Sequence, residues 1–154
     1  MKKRVCLLYE NKTYNKLIKK SKIIKFVKKI FKELNLKKES CSIFFTNLET
    51  MILLNDKYFK KKSPTDVIAF SQIEGTNCDF IKSNFLGDIA ICIPFAYDQS
   101  KERNHSLYTE VFYLILHGML HLLGYDHKYY EKGHMIDLQN KIFLKLTGVN
   151  FGKK

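Results

Sequence analysis

Short apolar runs and longer segments with a helical spacing of apolar residues alternate along this chain of 154 residues. The apolar runs are rich in β-branched and aromatic residues, and they predict four strands at 4–9, 41–45, 67–70 and 88–93. The run at 67–70 is expected to be a buried strand, and Pro94 is expected to end the fourth. The pattern therefore contains enough strand for one small sheet.

The segments with apolar residues three or four positions apart predict helices. A long helix is expected over 14–34, a second over 51–58 after a capping box at 46–49, and a third that contains 110–122. A last helix is expected to end at Gly148. The apolar face of that last helix consists of Met135, Leu138, Ile142 and Leu146.

The order of these elements predicts an α+β (mixed α/β) fold with one mixed, roughly four-stranded sheet covered by helices. At this length, residues 1–154 are expected to form a single domain. No apolar run is long enough to span a membrane or to serve as a signal peptide, so a cytoplasmic protein is expected. The cysteines form no metal-binding pattern and are expected to be reduced thiols. They are Cys6, Cys41, Cys78 and Cys92.

The chain has a net charge of +12, and lysine is far more common than arginine. Such a charge is compatible with a polyanionic partner such as nucleic acid. In the helix predicted at 14–34, Lys25, Lys28, Lys29 and Lys32 lie opposite the apolar face. These lysines either contact RNA or form a solvated face whose alkyl stems cover the helix edges, which is the commoner case. Composition leaves both interpretations open.

The segment 110–127, EVFYLILHGMLHLLGYDH, contains three of the five histidines. A helix turns by about 100° per residue, so His117 and His121 lie on one face and can reach one ion. Gly124 can adopt the positive φ that ends a helix and turns the chain, which would bring His127 to the same ion. Three imidazoles with a fourth position open for water are typical of a catalytic zinc site. We therefore expect one Zn²⁺ per chain, held by these three histidines.

The spacing HxxxHxxGxxH is also the frame of the metzincin metalloproteases, whose general base is a glutamate directly after the first histidine. This chain has Gly118 at that position, and a glycine cannot accept a proton. A metzincin-like protease is therefore a disfavoured alternative, and the base must come from elsewhere or from water activated by the metal.

The residues His117-Gly118-x-Leu120-His121-Leu122-x-Gly124-Tyr125-Asp126-His127 resemble the signature of the YbeY family of bacterial metal-dependent endoribonucleases. The segments LN at 54–55, PTDVIAF at 64–70 and LGDI at 86–89 resemble the same family in the same order. The resemblance implies a fold with the metal site at the end of a central helix. It also implies a single-strand-specific, zinc-dependent endoribonuclease for rRNA processing at the 3′ end of small-subunit rRNA and for ribosome quality control. The implied partners are rRNA and ribosomal subunit or assembly proteins.

The chain departs from this family at Phe59, where related sequences carry an arginine. A lysine from the loop before Pro64, either Lys60 or Lys61, could replace the missing charge. Its ammonium group is a point charge and lacks the planar shape by which an arginine guanidinium donates two parallel hydrogen bonds. Further candidates for a base, or for a residue that orients a ligand, are Asp66, Asp88 and Glu110.

A non-catalytic RNA-binding or ribosome-assembly protein with a structural metal is the main alternative. Structural zinc usually has four protein ligands, and Asp126 is the candidate for the fourth. Its position beside His127 favours instead a role in orienting that ligand. His105 and His134 lack ligand spacing and are expected at the surface.

Overall fold

A computed structural model describes residues 3–72, 84–125 and 132–152 of the chain. Within these residues it has four strands and six helices, which confirms the α+β fold predicted from the sequence. The strands are β1 (Val5–Tyr9), β2 (Ser40–Thr46), β3 (Val67–Ser71) and β4 (Phe85–Cys92). The helices are α1 (Lys12–Leu17), α2 (Lys20–Glu33), α3 (Leu48–Phe59), α4 (Ile93–Glu102), α5 (Leu107–Leu122) and α6 (Lys132–Thr147).

The four strands form one mixed sheet with the order β1-β2-β4-β3. Strands β1, β2 and β4 are parallel, and β3 pairs antiparallel with β4 at the edge. One face contributes Ile43 and Ile89 to the main core, which it shares with α2, α5 and α6. On the other face, Met51 of α3 packs with Ala90, whereas Leu8 of β1 remains 53% exposed. The predicted sheet is confirmed, and helices cover its second face only in part.

Strand β3 differs from the buried strand predicted at 67–70. It has a neighbour on one side only, and Ile68 is the one residue of the strand that is buried. Val67, Ala69 and Ser71 border an open cleft, so the strand forms a wall of that cleft.

The long helix predicted at 14–34 is wrong, because α1 and α2 are separate helices with a break at Ile18 and Lys19. Ile18 has an extended backbone and a completely buried side chain. The Tyr9 hydroxyl donates to the Ile18 carbonyl at 2.7 Å, and the Lys19 N–H donates to the Tyr108 hydroxyl at 2.9 Å. Side chains from distant segments therefore bind the backbone groups that a continuous helix would use.

The structure also tests two predictions at strand ends. Strand β4 ends at Cys92, just before Pro94, as predicted. Pro94 itself lies in the first turn of α4, where a missing N–H has no cost, and the sequence did not indicate this helix. The predicted capping box is wrong, because Thr46 belongs to β2 and its hydroxyl donates to Glu10. Asn47 caps α3 instead, and its side chain accepts a hydrogen bond from the Thr50 N–H at 2.9 Å.

The cysteines in the described residues are free thiols, as predicted: Cys6 is exposed, and Cys41 and Cys92 are buried. Burial raises the pKa of Cys41 to about 12, so this thiol stays protonated at neutral pH. Cys78 lies outside the described residues. In the part of the chain that the structure describes, no helix is both long and apolar enough to cross a membrane.

Candidate metal centre

Helix α5 carries the two helical histidines of the predicted site and crosses the core face of the sheet. It begins after Ser106, whose hydroxyl accepts a hydrogen bond from the Thr109 N–H at 3.1 Å. A Cβ atom at Gly118 would lie 2.9 Å from the Cγ2 atom of Ile89 in β4, which is closer than real Cβ atoms come. A glycine at this position therefore lets the helix lie directly against the sheet beside His117.

His117 and His121 direct their Nε2 atoms at each other across 3.1 Å. In a tetrahedral zinc site with Zn–N bonds of about 2.0–2.1 Å, two imidazole nitrogens stand about 3.3 Å apart. The Nδ1 atom of His117 lies 2.8 Å from the Oε1 atom of Gln139 in α6. An amide oxygen can only accept, so Nδ1 carries the proton and Nε2 presents a lone pair, which is the tautomer that a metal ligand needs.

Gln139 is a site residue that was not predicted from the sequence. Its side chain is only 1% exposed, and its Nε2 atom lies 3.5 Å from the Tyr113 carbonyl, which turns Oε1 towards His117. A signal was available in the pattern of α6, because position 139 is four residues after Met135 and three before Ile142. A polar residue on the buried face of a helix usually has a specific partner.

The end of α5 confirms that Gly124 ends the helix with a positive φ, which is +91°. Its N–H donates to the His121 carbonyl at 3.0 Å, and the Tyr125 N–H donates to the Leu120 carbonyl at 3.0 Å. This pair of hydrogen bonds is the Schellman arrangement, which closes a helix through a residue of positive φ. The chain therefore leaves the helix axis three residues after the second histidine.

The third predicted ligand, His127, and its neighbour Asp126 lie outside the described residues. Within the residues that the structure describes, no three side chains of His, Cys, Asp or Glu stand close enough together to hold an ion. His117 and His121 fit a metal through their nitrogen spacing and through the tautomer of His117. A metal at this pair needs at least one further ligand.

The histidine pair lies in an open cleft of about 340 Å³ between α5, β3 and the end of α3. One wall is β3, whose Ser71 hydroxyl donates to the Leu122 carbonyl at 3.0 Å and so ties this wall to the end of α5. The opposite wall contains Lys61 and Phe59, the latter 50% exposed. Among the described residues that line the cleft there is no carboxylate, and Lys61 is the only lysine.

The structure distinguishes between the two lysines that were candidates to replace the family arginine. Lys61 lines the cleft together with the histidines, and its backbone N–H donates to the Asn55 carbonyl at 3.3 Å. Lys60 ends α3 in a left-handed conformation, with a φ of 55°, and does not line the cleft. Of the two candidates, Lys61 is therefore the lysine that shares the cleft with the histidines.

Glu110, a candidate base, is not brought to the cleft. It is completely buried near the start of α5, and its two carboxylate oxygens contact Arg103 and His105. Seven residues of helix, about 10 Å, separate it from His117. His105 is a partly buried partner of this carboxylate and not the surface residue that was predicted, whereas His134 is exposed as predicted.

The aspartate candidates are also engaged elsewhere. Asp66 accepts hydrogen bonds from the Val67 N–H at 2.7 Å and from the Gln99 side chain at 3.1 Å, so it joins the start of β3 to α4. Asp88 accepts a hydrogen bond from the Ser42 hydroxyl on the face of the sheet away from α5. Neither carboxylate lines the cleft of the histidine pair.

Comparisons with known proteins agree with the motif around the histidines. The family model described as Endoribonuclease YbeY matches residues 8–147. An Endoribonuclease YbeY from a Sulfurihydrogenibium species is 41% identical over 143 residues, which are 92% of this chain and 92% of that protein. An Endoribonuclease YbeY from Aquifex aeolicus is 37% identical over 135 residues, which are 84% of this chain and 85% of that protein.

The fold is similar to that of a Thermotoga maritima protein whose structure was determined in solution. The TM-score is 0.63 at 22% identity, and the match covers 97% of this chain and 99% of that one. This likeness supports the arrangement of strands and helices. The family match over most of the sequence, together with relatives of this similarity, shows that the chain belongs to the Endoribonuclease YbeY family.

Proposed function

We propose that this protein cleaves single-stranded RNA in the cleft beside His117 and His121, in rRNA processing at the 3′ end of small-subunit rRNA and in ribosome quality control. Residues 1–154 would act as one hydrolase domain in the cytoplasm, with rRNA and ribosomal subunit or assembly proteins as partners. The observation that carries the proposal is the pair of Nε2 atoms 3.1 Å apart in a cleft that also contains Lys61.

One Zn²⁺ held by His117, His121 and His127 is part of the proposal. The nitrogen spacing of the first two histidines and the tautomer that Gln139 sets both suit a metal with imidazole ligands, and imidazole is a preferred ligand of zinc. When bound, zinc supplies a Lewis acid for a phosphate oxygen and lowers the pKa of a coordinated water.

Lys61 and Phe59, in the wall of the cleft opposite β3, would hold the RNA. Lys61 lines the cleft, and its charge would offset the negative charge that grows on the phosphate group as the bond to the leaving oxygen breaks. Phe59 presents a half-exposed aromatic ring in the same wall, and a base that stacks on such a ring gains about 1–3 kcal/mol. In this chain the family arginine would thus be replaced by two contacts, a charge from Lys61 and a stacking surface from Phe59.

The carboxylates of Asp66 and Glu110 are poor candidates for a general base. Both are hydrogen-bonded to other groups, and neither lines the cleft. We therefore assign no general base among the described residues, and an open cleft lets solvent carry the proton away. The roles left to the described side chains are to orient His117, to bind phosphate and to stack a base.

The test compares Lys61→Ala with Lys60→Ala, a neighbouring lysine that does not line the cleft. For Lys61→Ala we expect single-turnover cleavage of a single-stranded RNA to fall by about 10- to 100-fold, with affinity within about threefold of wild type, because the lost charge acts on the transition state. Lys60→Ala is expected to change neither quantity. The measurements are single-turnover cleavage and RNA affinity with metal-loaded protein, and a chelator-treated sample serves as the blank.

Two outcomes would contradict the proposal. Metal-loaded wild-type protein that binds RNA but cuts none would favour a non-catalytic RNA-binding protein with a structural metal. If Lys61→Ala weakened binding and left the cleavage rate of bound RNA unchanged, Lys61 would only bind RNA, and its proposed role in the transition state would be refuted.

A further inference from the structure

A second groove lies at the other end of α5, between α2, the first turns of α5 and the end of α6. It has a volume of about 410 Å³. Lys22, Lys25 and Lys29 of α2 line it together with Tyr108 and Phe112 of α5, and no acidic side chain is among its lining residues in the described part of the chain. We call it the lysine groove.

The three lysines carry unpaired positive charge. No salt bridge joins them to an acidic side chain within the described residues. The one acidic residue of α2, Glu33, pairs instead with Lys145 at 2.8 Å. Lys22, Lys25 and Lys29 are spaced three and four residues apart, so neighbouring like charges repel each other on the surface of the helix. A bound polyanion would remove this repulsion.

Two further features of the lysine groove concern its helix end and its aromatic wall. Ser106 and Thr109 from the first turn of α5 line it, and the N-terminus of this 16-residue helix carries a partial positive charge. The Nζ atom of Lys22 lies 4.6 Å from the centre of the Tyr108 ring, so this ammonium group rests on an aromatic face at the groove. The groove therefore combines the N-terminal end of a helix with lysines that have no acidic partner in the part of the chain that the structure describes.

We propose that the lysine groove binds the phosphate backbone of the RNA substrate at a distance from the cleavage cleft. Thr109 in the groove and His121 in the cleft are twelve residues apart on α5, or about 18 Å along the helix axis. At the rise of about 3.4 Å per nucleotide of a stacked strand, 18 Å corresponds to about five steps, so a stacked RNA of about six nucleotides or more reaches both places. Short RNA would occupy the cleft alone, and longer RNA would also contact the groove.

RNA is the occupant that the observations favour. The charge of the groove complements a polyanion, and the chain belongs to a family of enzymes that act on RNA, so both sites would serve the same ligand. Contacts between lysines and phosphates do not depend on the base sequence, so the groove would add affinity and length preference without adding sequence specificity. This inference rests on RNA as the substrate and is independent of the metal and of Lys61.

The test replaces the three groove lysines together, Lys22→Gln, Lys25→Gln and Lys29→Gln. A matched control on other exposed lysines carries Lys20→Gln, Lys28→Gln and Lys37→Gln, which removes the same charge, from +12 to +9, because three lysines are lost in each protein. A third protein with Lys22→Arg, Lys25→Arg and Lys29→Arg keeps the charge of the groove. Thermal melting of all three proteins checks that the fold is retained.

Affinity is measured against salt with a single-stranded RNA of about 20 nucleotides and with one of about four nucleotides. We expect the groove glutamine variant to bind the long RNA about tenfold more weakly at low salt, with the slope of log affinity against log salt reduced by about two, at about 0.7 per lost contact. The short RNA should be bound and cut as by wild type. The control variant should keep the wild-type slope, and the arginine variant should bind within about twofold of wild type.

Several results would overturn the inference. Equal loss of affinity in the groove and control variants would mean that only net charge matters, and equal loss for long and short RNA would place the lysines at the cleft. Binding to phosphatidylserine vesicles that requires the groove lysines, with no such requirement for RNA, would identify a membrane surface instead. A protein that binds long RNA through the groove but cuts none would refute the proposed cleavage and leave the groove assignment intact.

Discussion

The two ends of helix α5 would bind phosphate groups by different means. At the C-terminal end, hydrogen bonds fix the site: His117 is oriented by Gln139, and Ser71 of β3 holds the Leu122 carbonyl. At the N-terminal end, the lysine groove has three long, exposed side chains without an acidic partner in the described residues. The cleft therefore depends on the positions of a few atoms, whereas the groove depends on the number of charges.

This difference has a direct experimental consequence. A substitution that moves a ligand atom but keeps the charge should damage the cleft and leave the salt dependence of RNA binding unchanged. A substitution that removes charge from the lysine groove should reduce the salt dependence of RNA binding and leave the cleft intact. Each of the following changes alters geometry at the C-terminal end of α5, so each should affect metal binding and leave the groove intact.

The largest effect is expected for His117→Ala, which removes one of three proposed ligands. Metal content should fall from about one ion per chain to near zero, because two remaining imidazoles leave an incomplete site. Elemental analysis of the purified protein measures this, and His134→Ala, which removes an exposed histidine of α6, is the control. Unchanged metal content in the His117 variant would refute the ligand assignment, and a changed salt slope for long RNA would refute the separation of the two ends.

Gln139→Leu should have the next largest effect. The substitution keeps an apolar group of similar size in a buried position but removes the acceptor for the His117 Nδ1 proton. Loss of such a partner typically lowers metal affinity by about 10- to 100-fold. Gln139→Glu keeps an acceptor and should retain the affinity, as measured by competition with a chelator. Equal metal affinity of the leucine variant and wild type would show that this hydrogen bond does not set the ligand.

A smaller loss is expected for Gly124→Val. None of the described atoms lies within 4 Å of a Cβ at this position, so the effect would come from the backbone conformation and not from a clash. The φ of +91° disfavours a β-branched residue by about 1–2 kcal/mol, which corresponds to a loss of metal affinity of about tenfold if the turn must keep its shape. Gly124→Asn should lose less, since asparagine tolerates positive φ better. Full affinity in the valine variant would mean that the turn is not needed to place His127.

The end of α5 could be predicted from the sequence because its signals are local. A helix period brings His117 and His121 onto one face, and Gly124 is the residue that ends the helix. The four strands followed from the same kind of short-range pattern, and the predicted mixed sheet is confirmed.

The errors arose where a distant partner decides the structure. The break between α1 and α2 depends on Tyr9 and Tyr108, which bind the backbone of Ile18 and Lys19. Periodicity within a segment contains no information about such partners. Glu110 was a candidate base by its place in the same helix, but the sequence could not show that Arg103 and His105 hold its carboxylate near the start of α5.

The site residue Gln139 was missed for the same reason. It is 22 residues after its partner His117 in the sequence, in a helix whose period predicts an apolar residue at that position. Likewise, the sequence offered Lys60 and Lys61 equally, and the left-handed end of α3 distinguishes them. These contacts depend on how helices pack together, which a single sequence does not reveal.

The packing at Gly118 limits how this chain could acquire the glutamate of a metalloprotease. Any side chain there would crowd Ile89, and such overpacking costs about 1–3 kcal/mol. Making room first, by Ile89→Ala, would cost about 2–5 kcal/mol through the cavity left in the core. Converting HGxxH into the HExxH of metalloproteases therefore requires a less stable intermediate, whether Gly118 or Ile89 is replaced first. A single substitution at Gly118 cannot introduce the glutamate without loss of stability.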